Sequence, residues 1–190
     1  MNTTASLIEA NQPEMVVSSH SRFSKTLNFK QREKAFKLVV FTISGLNFAL
    51  RIESVNKVVN HTRVIYSNDW ARVGIAHVGD FEITVFDLQE KLTPQVAQSV
   101  QTQRDYNDDH YLIIAQSSSE ELIGIPVNDA PILMEVPISQ IRELPESYRR
   151  AEQLNMASHV TLIAQESEPM TVFLMDIDRV LAQVMAPAEV

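Results

Sequence analysis

From Phe36 onward, short runs of β-branched and aromatic residues recur about every ten residues, each closed by a turn signal, as expected of small sandwiches and barrels. Lys37 to Ile43 is the densest run and ends at Ser44-Gly45. Phe48 to Ile52 alternates apolar with small or polar residues, as a half-buried strand does. Val55, Val58 and Val59 follow a short polar break, which reads as one helical turn and another strand. Val73 to Val78 and Phe81 to Phe86 flank Gly79-Asp80, a two-residue hairpin signal. Tyr111 to Ala115, Leu122 to Val127 and Ile132 to Val136 continue the series, and Ile138 to Leu144 lies between Pro137 and Pro145. Glu146 to Met156 reads as a surface helix, and His159 to Ala164 with Met170 to Met175 as a second hairpin. Residues 93 to 109 form a polar connection, with a helical stretch placed around Val96.

The series repeats itself. Leu38 to Thr42 and Phe48 to Ile52 resemble Leu112 to Gln116 and Ile123 to Val127. Val85-Phe86-Asp87-Leu88 leads to Leu92 much as Leu174-Met175-Asp176-Ile177 leads to Leu181, in each case a strand running into a short helix with Asp at its N-cap. Two similar halves, about 36–92 and 110–184, with strand exchange between them an option, would cover one another's apolar faces better than one small barrel could alone. Residues 1 to 35 are different: Arg22, Lys25, Lys30, Arg32 and Lys34 against Glu9, Glu14 and Glu33 leave them at +2, and the remainder at −10 of the overall −8. Their Ser, Thr, Asn and Gln content predicts a flexible, mildly basic tail, with Phe23, Leu27 and Phe29 able to dock on an acidic surface. Residues 185–190 read as a second tail.

Chemistry is conspicuous by its absence. The chain has 0 cysteines, hence no disulfide, thiolate metal site or cysteine nucleophile, and 4 glycines, too few for several phosphate loops. His20, His61, His77, His110 and His159 lack the helical i, i+4 partner of a metal pair. Asp105, Asp108 and Asp109 lack the alternation, Gly and Glu of a calcium loop. Neither G-x-S-x-G nor a Walker loop occurs. Asp87 and Asp176 could be drawn as an acid/base pair, but their matching places before helices make them caps, and Met134, Met156, Met170, Met175 and Met185 read as core filler. An acidic chain without basic, aromatic strands predicts no nucleic-acid binding, and no apolar run approaches the roughly 18 residues of a membrane helix. The N-terminal residues have no secretory pattern, so a cytoplasmic location is expected. No enzyme and no cofactor are predicted; a binding protein is.

The order of Lys37 to Val59, Gly74-Ile75, Ile83-Thr84-Val85-Phe86-Asp87-Leu88, Asp105 to Ile114, Ile123 to Asn128 and Val172 to Leu181 resembles the CheW-like family of chemosensory adaptors, over about 36–184. The resemblance implies a mainly β fold, two SH3-like five-stranded barrels packed around a shared core with short helices. It implies a non-catalytic scaffold coupling a chemoreceptor's cytoplasmic helical hairpin to the regulatory domain of a CheA-type histidine kinase, in chemotaxis, phototaxis or pilus motility. A small-ligand-binding β-barrel module is the alternative from the residues themselves. By family position, Val55, Lys57, Gly74, His77, Gly79, Asp80, Ala130 and Leu133 are the expected partner-binding residues, although Val55 and Leu133 would serve equally as core. The family's G-V-x-N-x-R-G is here Gly74-Ile75-Ala76-His77-Val78-Gly79-Asp80, with Thr84 for the following Pro and Asn128 for a frequent Asp. The missing Arg removes a cationic fork suited to partner carboxylates.

Overall fold

The computed structural model describes residues 33–60, 62–66, 73–92, 111–149, 154–165 and 168–184. The chain divides after Arg32, and every described residue belongs to the unit Glu33–Val190. The tails, the polar connection 93–109 and the C-terminal part of the expected surface helix therefore lie wholly or largely outside the described residues.

Twelve strands are described: β1 (Ala35–Ile43), β2 (Leu46–Arg51), β3 (Val55–Asn60), β4 (Val64–Tyr66), β5 (Val73–Val78), β6 (Phe81–Phe86), β7 (Tyr111–Gln116), β8 (Leu122–Val127), β9 (Ile132–Pro137), β10 (Ile141–Glu143), β11 (Ala157–Ile163) and β12 (Met170–Met175). Three short helices accompany them, α1 (Gln89–Leu92), α2 (Glu146–Arg149) and α3 (Ile177–Val184), with 3-10 turns at Ile52–Ser54 and Ile138–Gln140. The strands form two six-stranded, barrel-like sheets, β10-β11-β12-β2-β1-β9 and β3-β7-β8-β6-β5-β4. The expected count was five; the three-residue β4 and β10 each add a strand at one edge.

Adding six to every strand number of one sheet, counted cyclically, reproduces the order of the other. Each sheet combines strands from both stretches of the chain: β1 and β2 complete the sheet of β9 to β12, and β7 and β8 complete that of β3 to β6. The joins are parallel, β12 with β2 and β6 with β8, whereas the other ladders are antiparallel.

This interlocking explains why the central strands are near-continuous apolar runs rather than alternating ones: both their faces are covered. In β1, Leu38 and Val40 point into their own barrel, while Phe41 and Ile43 join the core shared between the sheets. In β7, Leu112 and Ile114 face the barrel and Ile113 and Ala115 the shared core. The single shared core expected from sequence is thus accompanied by an apolar cluster inside each barrel. Phe48 centres the shared core, its ring 6.4 Å from Phe41 and 6.0 Å from Phe173.

Both helices that follow a sixth strand are capped as their sequences predict. Asp87 Oδ1 accepts from the Gln89 backbone N–H at 3.0 Å, and Asp176 Oδ1 from those of Asp178 and Arg179 at 3.1 and 3.4 Å. In α3 the i, i+3, i+4 set Ile177, Val180 and Leu181 is buried in the shared core.

Candidate functional site

The β5–β6 hairpin and the strand beside it present an apolar face to solvent. Alternation along β5 turns Gly74, Ala76 and Val78 inward and leaves Val73, Ile75 and His77 on the outside. At Gly74 the missing side chain admits β4: a Cβ there would stand 2.6 Å from Val64 Cγ1 and 3.0 Å from Ile65 O. β4 is thereby held against β5, with Ile65 directly opposite Ile75, and Ile75 opposite Thr84 of β6. Ile65 is 58% exposed and Ile75 48%. At the other end of the same face, Val73 and Phe86 pack in or against the shared core, so the apolar surface runs from that core out to solvent. Beyond Ile75, His77 Nδ1 and Glu82 Oε1 lie 3.8 Å apart, both well exposed, in a contact that contributes little to stability. Gly79 takes φ +65° at the tip, the backbone a two-residue hairpin turn with glycine first requires. Asp80 beside it is exposed, as is Phe81 at 63%.

Two sheet edges carry the remaining expected residues. Val55 opens edge strand β3, half-buried against the shared core, and a bulge between Val55 and Lys57 precedes the exposed Lys57 and Val58. On the other sheet, edge strand β9 pairs with β1 alone among the described strands, and its Ile132 and Leu133 are 53% and 60% exposed. Ala130 is exposed in the bend before it.

The structure therefore groups Gly74, His77, Gly79 and Asp80 on one hairpin, sets Val55 and Lys57 on the far edge of that sheet, and places Ala130 and Leu133 with the other sheet. Sequence reasoning missed Ile65, Ile75, Phe81 and Ile132. For Ile75 the signal was present: in Val73 to Val78 the inward row is Gly, Ala and Val, which leaves an isoleucine on the solvent row.

A cleft of about 550 Å³ opens elsewhere, at the mouth of the barrel of β1, β2 and β9 to β12. Phe36, Ile141 and Leu174, which belong with that barrel's interior cluster, line it together with Arg51, Ser158 and His159. The Arg51 guanidinium lies 4.4 Å over the Phe36 ring, with Nε 3.4 Å from Glu53. His159 Nδ1 is 3.0 Å from Ser158 Oγ, and Asp178 Oδ1 accepts from the Ser118 backbone N–H at 3.0 Å. Among the described residues no three His, Asp or Glu side chains gather as metal ligands, and no helix is long and apolar enough to cross a membrane.

Three comparisons with known proteins place these features. The family model described as "CheW-like domain" matches residues 37–185. No curated protein matches the chain. Among solved structures, the scaffolding protein TtCheW from Thermoanaerobacter tengcongensis superposes with a TM-score of 0.57 at 15% identity, over 78% of this chain and 88% of that one, a likeness of fold.

Proposed function

The chain belongs to the CheW-like family, and we propose that it acts as a cytoplasmic, non-catalytic adaptor holding chemoreceptors beside a CheA-type histidine kinase. The observation that carries this reading is the outward face of the β4–β5–β6 edge, where Ile65 and Ile75 extend the shared core into solvent. Covering an aliphatic side chain of this size gains about 1.5–3 kcal/mol, and few such residues dominate an interface. This face is assigned to the regulatory domain of the kinase.

The expected family residues border it: His77, Gly79 and Asp80 form its rim, and Gly74 fixes its geometry. With glycine in place of the family Arg, the turn offers no guanidinium fork, and recognition rests on apolar contact. The edges at Val55, Lys57 and Val58 and at Ala130, Ile132 and Leu133 suit the receptor's helical hairpin, whose ridges present side chains at i, i+3 and i+4. Titration of the purified protein with the regulatory domain of a CheA-type kinase tests the reading: saturable one-to-one binding supports it, and no heat or spectral change overturns it. The cleft beside Arg51 favours a second role, binding of a small ligand, which is compatible with the first.

A further inference from the structure

We propose that the cleft beside Arg51 binds a carboxylate carried on an apolar group, an activity independent of the adaptor reading. Comparison of the two barrels supports it. Val85 and Leu174 occupy equivalent places, each one residue before the strand end and two before the Asp that caps the next helix. Opposite Val85 stands Gly74, onto which β4 closes; opposite Leu174 stands His159, after a bulge at Ser158. Val64 and Tyr66 close onto the first barrel at this place, whereas the second has a side chain and an extra residue there, beside the cleft. Across the parallel joins Val85 pairs with Gly124 and Leu174 with Ala49, so Arg51 stands where the other barrel has Pro126. At this place Arg51 brings a guanidinium to the cleft.

Three carboxylates, Glu53, Asp176 and Asp178, line the cleft beside Arg51 and His159. Its carboxylates are engaged: Glu53 by Arg51 Nε, Asp176 as the cap of α3 and with Arg179 Nε at 3.4 Å, Asp178 by the Ser118 N–H. The Arg51 guanidinium is set by its stacking on Phe36, and its contact with Glu53 is made through Nε rather than the two Nη groups. Two parallel N–H groups match a carboxylate. His159 adds its second ring nitrogen at the same cleft, and Phe36, Ile141 and Leu174 offer an apolar floor. The volume lies within the roughly 300–1,000 Å³ usual for ligand sites, which often occupy barrel mouths. A body at −10 does not steer anions inward, so the affinity must come from contact with both the fork and the floor.

The test is amide NMR titration of the full chain with 4-phenylbutyrate and with 4-phenylbutanol, which has a comparable apolar body and no carboxylate. The expected result is movement of the Ser117, Ser118, Ser158 and His159 signals, with the alcohol binding about tenfold more weakly or worse. Arg51→Gln should abolish that preference and Arg51→Lys, which keeps the charge but not the fork, should retain part of it. Equal binding of acid and alcohol, movement of signals elsewhere, or none up to the solubility limit would overturn the proposal. Two further probes, N-acetyl-Leu-Glu-Leu-amide and its Gln counterpart, distinguish the source. A preference for the Glu peptide assigns the carboxylate to a partner protein, and a preference confined to phenylbutyrate assigns it to a small molecule.

Discussion

Gly74 lies so close to Val64 that a methyl group on its α-carbon would come within 2.6 Å of Val64 Cγ1. Ile65 O and Tyr66 Cδ1 are each 3.0 Å from the same point, so the added carbon meets backbone as well as side chain. Gly74→Ala must push β4 away from β5 and is expected to destabilise the protein by about 1–3 kcal/mol, the usual range for overpacking. Urea unfolding of the variant beside the wild type measures it.

Gly79 sits at φ +65°, so the arginine common in the family at this place would strain the turn. Gly79→Arg should cost about 1–2 kcal/mol, the left-handed penalty of a residue with a Cβ. Equilibrium denaturation gives the value, and Gly79→Asn, better tolerated in that region, should cost less.

Asp176 accepts from two backbone N–H groups at the start of α3, and α3 delivers Ile177, Val180 and Leu181 to the shared core. Asp176→Ala should lose about 0.5–2 kcal/mol, while Asp176→Asn, also a good cap, should retain most of it. Thermal unfolding of the two variants separates capping from mere charge.

Local chemistry was legible wherever one residue type answers one backbone demand. Gly79-Asp80 closes the expected hairpin, Ser44 and Gly45 both take positive φ between β1 and β2, and both Asp caps are where the strand-to-helix junctions placed them. The partners of the strands were not legible. The apolar run Leu38 to Ile43 says that β1 is covered on both faces, but not that it shares a sheet with β12 through β2. The bulges in β3 and β11 leave no compositional mark, since Asn56 and Ser158 are ordinary strand or turn residues. The exposed apolar residues were hidden for a related reason: Ile65 and Ile132 look like core until edge position and register put them at the surface. Gly74 and His159 hold equivalent positions in the two barrels, an equivalence that only the strand registers reveal.

Binding of a CheA-type kinase's regulatory domain by the double variant Ile65→Ser, Ile75→Ser tests the adaptor account most directly, with Leu162→Ser as the matched control on the other sheet. Isothermal titration should show at least about a thirtyfold loss of affinity, the effect of removing a hot spot of about 2 kcal/mol, and little change for the control. Because both isoleucines are largely exposed, unfolding free energy should stay within about 0.5 kcal/mol of wild type. Undiminished affinity in a folded double variant would contradict the account.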